Sequence, residues 1–217
     1  MTTAVRNRRA RRAGSATANP VKPHRSFDPR LVGGLEAGVW VAYYRREWFS
    51  FLRGAVTVTR HTFGLPWPHT LYGAWLVLRA NQLWAPYPDN DPEGARRAME
   101  RFYRLVAEQH DDTFDPRRAS ELEVEWWRIH RDHQHDGSAV GNDGEGALIA
   151  ALSALYSYVY GVDEGQVVVA AEQRALAMRH SDQWVREGCH LASPLIEEER
   201  AALVRSYAGL LAAVHRA

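Results

Sequence analysis

The sequence holds one cysteine, one lysine and no long apolar run. A single cysteine, Cys189, excludes an intramolecular disulfide framework and any cysteine-based zinc site. Lys22 is the one lysine among 27 basic residues, a bias that fits a GC-rich coding sequence better than a mechanism. The longest uncharged apolar run, Ala147 to Gly161, has 15 residues. A bilayer span needs about 20, so no transmembrane helix is expected. No apolar segment follows the N-terminal arginines, so they do not read as a secretory or twin-arginine signal, and the cytoplasm is the expected compartment. No Gly-x-x-x-x-Gly-Lys-Ser/Thr, Gly-x-Gly-x-x-Gly or Gly-x-Ser-x-Gly run occurs, which argues against P-loop, Rossmann and α/β-hydrolase chemistry. Strand signals are nearly absent: Val56-Thr57-Val58-Thr59 and Val167-Val168-Val169 both sit inside helical patterns.

What remains is an ordinary globular composition over 217 residues, 46% hydrophobic and 24% charged, with an uneven charge. Residues 1–27 carry seven basic residues and no acid; the net charge is +1, so the other 190 residues carry −6. Arg6, Arg8, Arg9, Arg11 and Arg12 stand among Ala, Ser, Thr and Pro with few large apolar residues, the composition of a disordered tail. Such a tail can contact phosphate on nucleic acid or on an anionic membrane, or simply keep the chain soluble. The expected organisation is a tail over 1–27 and one helical domain over 28–217.

Helix starts repeat one chemistry. Asp28-Pro29, Asp91-Pro92, Asp115-Pro116 and Ser193-Pro194 each place a side-chain acceptor before a proline. The acceptor satisfies orphan N–H groups of a first turn, and proline at the first helical position gives up a donor that had no partner. Asn142 or Asp143 and Asp163 are further cap candidates. Helical periodicity fills the intervals: Pro29–His61 with a bend at Gly54, Pro68–Trp84, Pro92–His110, Pro116–Gln134, Gly144–Tyr160, Glu164–Glu187 and Pro194–His215. These read as an all-α bundle of about seven helices, with the fifth and most apolar at its centre against the first.

The candidate chemistry lies on three of these segments. In the fourth, at 100° per residue, Leu122, Trp126, Ile129 and His133 share the inward face; Glu123 and His130 flank it on one side and Glu125 on the other, with Arg131 pointing away. In the first, Glu36, Trp40, Tyr43, Tyr44, Glu47 and Phe51 form one stripe, and a carboxylate among aromatic rings has to pair with an arginine, bond to a tyrosine or hold a raised pKa. In the sixth, His180 points inward. His130 and His133 stand at i and i+3, so with Glu123 they are a candidate site for Fe, Mn or Zn. The Glu-x-x-His pair of helical di-metal carboxylate proteins occurs only as Glu187-Gly188-Cys189-His190, across an expected helix stop. Asp111-Asp112-Thr113-Phe114-Asp115 matches the magnesium-binding pattern of helical prenyl-diphosphate enzymes, but Asp115 is also the cap of the next helix. Trp67, Trp75 and Trp84 cluster with prolines around the second segment, suiting a ligand pocket, a partner surface or the rim of a core.

Three function classes fit these residues. The leading one is a helical protein that binds a small apolar or aromatic molecule and has the groups to transform it: His130 or His133 as proton carrier, Glu36 or Glu125 to orient it, and Tyr43 as hydrogen-bond donor. It requires a pocket touched by the first, fourth and fifth segments. The second is an interaction or regulatory protein acting through the basic tail. The third is a carboxylate–histidine metal oxidoreductase with ligands drawn from Glu36, Glu123, Glu125, His130, His133, Glu172 and His180.

Overall fold

The computed structural model describes residues 22–135 and 142–216; the expected disordered tail, with its arginine cluster, lies outside them over residues 1–21. Eight α-helices follow one another: α1 Pro29–Tyr44, α2 Trp48–Phe63, α3 Trp67–Trp84, α4 Pro92–His110, α5 Pro116–His135, α6 Asn142–Tyr160, α7 Glu164–Arg186 and α8 Leu195–Arg216. No strand occurs among the described residues, and none of their helices is long and apolar enough to cross a membrane.

All four proline-marked caps form. Asp28 Oδ1 accepts from Arg30 N at 2.9 Å, Asp91 Oδ1 from Gly94 N at 2.8 Å and Asp115 Oδ1 from Arg117 N at 2.9 Å. Ser193 Oγ accepts from Leu195 N at 3.3 Å. Asp163 precedes α7 without making a side-chain cap bond. The side chains of Asn142 and Asp143 lie outside the described residues.

The expected first helix is two. The chain leaves α1 at Arg45, turns through Arg46 in the left-handed region (φ 59°), and Glu47 N–H bonds back to Ala42 O at 2.9 Å. This is the geometry of a helix end that usually carries glycine, made here with arginine. The Arg46 guanidinium holds the turn by donating to Ala85 O at 2.9 Å, a partner 39 residues away that no local pattern announces. The break falls before α2 begins, and Gly54, the expected bend, lies inside that helix. A Cβ there would stand 2.7 Å from Val39 Cγ2, so the glycine serves the close crossing of α1 and α2.

Each helix packs chiefly on its neighbours in the chain, and α8 returns to pack on α1, so the eight helices close a ring. The fifth expected segment, α6, is therefore a stave of that ring between α5 and α7 and not its centre, and its main partners do not include α1. Beyond Glu145 it carries no charge, and its surface is used on two sides by neighbours and on a third by the ring interior. The seam between α1, α7 and α8 is the tightest, built from small residues. Ala37, Ala177 and Ala202 are fully buried there, and a Cβ on Gly33 would meet Val204 N at 2.7 Å.

The folded body also begins earlier than residue 28. Lys22–Phe27 includes a short 3-10 turn at Pro23–Arg25. Lys22 Nζ donates to Asp112 Oδ1 at 2.6 Å, and the His24 ring is fully buried with Nε2 3.0 Å from Asp112 Oδ2. Phe27 packs edge-on against Tyr207 at 5.5 Å. Asp112, which the aspartate-rich motif offered to a metal, is thus the anchor of this segment.

The α1–α8 contact gives a paired test. Gly33→Ala destabilises the fold by about 1–3 kcal/mol, because backbone cannot move out of the way of the new methyl group. Gly34→Ala meets nothing within 4 Å. It stabilises the fold by up to about 1 kcal/mol through helix propensity. Urea unfolding followed by circular dichroism measures both.

Candidate functional site

Closing eight helices around one axis leaves an interior that aliphatic side chains do not fill. A cavity of about 270 Å³ remains, and all eight helices contribute to its wall. The α5 wall is a regular stripe: Glu123, Trp126, Trp127, His130, Arg131 and Gln134, at offsets 0, 3, 4, 7, 8 and 11. The inward face is thus rotated from the expected one. Glu123 and His130 stand in it, not beside it. Arg131, expected to point away, is buried at 9% exposure, and His133 falls outside the cavity wall. The inward stripe is polar, so a search for the most apolar face misplaces it.

Three polar clusters stand on the wall. In the first, Arg174 of α7 makes a two-pronged bond to Glu36 of α1, at 2.6 Å to Oε1 and 3.2 Å to Oε2, and Tyr207 of α8 donates to the same Oε2 at 2.6 Å. The guanidinium also lies against Trp40 and Trp126, 5.3 and 5.7 Å from their ring centres. Glu36 thus has its partner, and its lone pairs are largely taken.

In the second, Glu123 accepts from Tyr103 Oη at 2.7 Å and from Trp127 Nε1 at 3.1 Å. Burial raises its carboxyl above the usual range, against the pull of these bonds and of the Arg174 charge. Burial and the adjoining carboxylate push the Tyr103 hydroxyl well above its ordinary value. Glu123 has no direct cation, and on the cavity wall it is a carboxylate held above its ordinary range by burial.

In the third, His130 Nε2–H donates to Asp182 of α7, 3.1 Å from Oδ2. Gln134 Nε2 donates to Asp182 Oδ1 at 2.6 Å and to Tyr44 Oη at 3.2 Å. A carboxylate on one ring nitrogen fixes the tautomer and leaves Nδ1 of a neutral ring as an acceptor, the arrangement of an oriented acid–base histidine. Beside it, Arg131 donates to Trp84 O at 2.6 Å and lies over the Trp84 ring at 4.5 Å. It approaches Tyr43 Oη at 3.4 Å.

Of the residues expected to carry chemistry, Glu36, Tyr43 and His130 therefore line one cavity, and Glu125 does not. Glu125 is exposed and paired with Arg128 at 2.9 Å on the outer face of α5. The proposed ligands Glu123, His130 and His133 are not gathered: Glu123 is bound to Tyr103 and Trp127, and His130 to Asp182. Among the described residues no three His, Cys, Asp or Glu side chains are grouped so as to hold a metal ion. Glu172 is exposed, Glu47 is an exposed turn residue paired with Arg45, and His180 pairs with Glu198 at 3.2 Å at the surface of α7. The Glu187–His190 pair is broken by the end of α7 at Arg186 and the left-handed Gly188 and Cys189.

Sequence patterns did not single out Asp182, Tyr103 or Glu199. Asp182 and Tyr103 act through partners on other helices, 52 and 20 residues away. Glu199 of α8 is 1% exposed, and burial pushes its carboxyl up to about 8, with the charges of Glu36 and Asp182 pushing the same way. No known protein family, curated protein or solved structure matches the chain.

Two measurements test this electrostatic arrangement. Arg174→Met leaves Glu36 buried without its cation and destabilises the fold by about 3–5 kcal/mol; adding Glu36→Gln recovers most of the loss. Glu199 favours its protonated form in the fold. Its stabilisation is full below its unfolded pKa near 4.5 and is lost as pH rises through about 8. In Glu199→Gln, unfolding free energy measured from pH 5 to 8 declines less with rising pH than in the parent chain.

Proposed function

We propose that the protein binds a small aromatic molecule in the central cavity and that Glu123 and the His130–Asp182 pair serve as its acid–base groups. The observation that carries this reading is the cavity itself: about 270 Å³, walled by Trp and Tyr rings and reached by a carboxyl group held above its ordinary pKa. A dry cavity of about 150 Å³ holds one benzene-sized molecule. The larger space here suits a two-ring compound or a single ring with a short substituent. Aromatic walls favour a planar guest through offset and edge contacts. Glu123 and His130 Nδ1 favour a guest that presents a hydroxyl or amine donor, since both can accept.

Glu36 has a different part. Held by Arg174 and Tyr207, it keeps a charge in place and braces the wall between α1, α7 and α8. The mobile proton belongs to Glu123, and His130, oriented by Asp182, is the second proton-transfer group. Tyr43, whose hydroxyl is raised by burial, remains a neutral donor.

Calorimetry and tryptophan emission with indole, 2-naphthol and 2-aminonaphthalene test the reading. At least one probe saturates the protein. Leu152→Trp, which fills the cavity from α6, weakens that probe tenfold or more while circular dichroism stays unchanged. Failure of all three probes to saturate, or equal binding by the filled variant, overturns it.

A further inference from the structure

The outer surface of α3 and the groove beside it are not used by the cavity. Trp67, Leu71, Tyr72 and Trp75 are exposed at 58%, 55%, 44% and 46%. Their offsets of 0, 4, 5 and 8 make one stripe along the outside of the helix. The rings of Tyr72 and Trp75 are stacked at 6.1 Å, and the Arg60 guanidinium lies 4.3 Å over Trp67. At the Trp75 end of the stripe, a groove of about 190 Å³ between α3 and α4 is lined by Arg79, Arg97 and Arg101. Asp91, the carboxylate on this groove, is engaged as the α4 cap and stands 3.9 Å from Arg97. Among the described residues, Arg79 and Arg101 have no carboxylate within ion-pair distance. No acid occurs anywhere from residue 48 to residue 88, in a body that is acidic elsewhere.

We propose that this face docks on an anionic phospholipid surface, with the stripe entering the headgroup–acyl boundary and the arginine groove taking a lipid phosphate. Tryptophan and tyrosine favour that boundary because each has an apolar body and a polar tip. Leucine at the middle of the stripe gains from an acyl phase and has nothing to offer a nucleic acid, which would stack on the rings and leave Leu71 in water. A second copy of the chain docking through the same face would bring its own arginines against these and be repelled. The helix lies on the membrane and does not cross it, in keeping with a stripe on one side only.

The full chain is tested by sedimentation with vesicles of phosphatidylcholine mixed with phosphatidylglycerol, and with vesicles of phosphatidylcholine alone. The mixed vesicles bind the chain and shift its tryptophan emission to the blue; the neutral ones bind it at least tenfold more weakly. Each arginine near a charged surface contributes roughly fivefold, so R79Q/R97Q/R101Q loses about a hundredfold. W67A/L71S/W75A loses both the blue shift and most of the binding. All six positions are exposed, and unchanged circular dichroism confirms the fold. A third variant with Arg6, Arg8, Arg9, Arg11 and Arg12 changed to Gln separates this face from the N-terminal arginines. Binding that ignores both α3 variants and vanishes with that third one overturns the proposal. So does absence of vesicle binding, or binding to a single-stranded oligonucleotide with none to vesicles.

Discussion

Eight helices that close on themselves enclose more space than leucine and valine can fill, and this geometric surplus governs the interior. The space is taken up by Trp, Tyr, Arg and Glu, whose reach spans it. Each such side chain brings a polar atom, and a buried polar atom without a partner costs about 1–3 kcal/mol. The interior is consequently organised by hydrogen bonds that join helices distant in sequence: Glu36 to Arg174 over 138 residues, Glu36 to Tyr207 over 171 and Arg131 to Trp84 over 47. The Glu36–Arg174 and Arg131–Trp84 bonds reach between helices that are not neighbours in the ring, and the Glu36–Tyr207 bond reinforces the direct packing of α1 on α8. The tight α1–α7–α8 seam, made of glycine and alanine, and the wide aromatic interior are two consequences of one closure.

Burial decides which carboxylate keeps chemical freedom. Glu36 and Glu123 both face the cavity and both feel the Arg174 charge. Glu36 meets the guanidinium directly in two short bonds, so its charge is structural. Glu123 takes neutral donors, a phenol and an indole, which offset only part of its desolvation and leave its carboxyl raised. A buried acid held by neutral donors can exchange a proton at less cost than one locked to arginine, because the change of charge strands no cation. The same comparison separates His130, oriented by Asp182 on the cavity wall, from His180, which pairs with Glu198 at the surface.

The helix starts are legible in the sequence because capping is local: an Asp or Ser beside a proline carries its own acceptor and its own missing donor. All four such pairs mark true starts. Where a helix end rests on a distant partner, local pattern fails. The break at Arg46 depends on Ala85, and the docking of Lys22 and His24 depends on Asp112. The site is legible to a similar degree. Glu36, Tyr43 and His130 carry a local signal, titratable or hydroxyl groups spaced along an aromatic helix. Periodicity weighed by hydropathy turned α5 by about one position, put Arg131 outside and kept Glu125 near the site, because the true inner stripe includes Glu, His, Arg and Gln. Asp182 was beyond local reach: its role exists only where α7 passes α5.

The hairpin of α2 and α3 lies at the junction of these two themes. Its inner surface supplies Phe51, Phe63 and Asn81 to the cavity wall, while its outer surface exposes Trp67, Leu71 and Trp75. A surface helix of a globular bundle normally has one apolar face, toward its neighbours, and a charged one toward water. α4 and α8 approach that pattern, with carboxylates such as Glu93 and Glu197 turned to water; α2 and α3 carry none, and their arginines stand at the margins of an apolar outer face. Closing the ring accounts for the inner face alone. The outer one has no role in the packing of this chain, and its tryptophans, leucine and arginines stay in water unless a second apolar and anionic phase covers them.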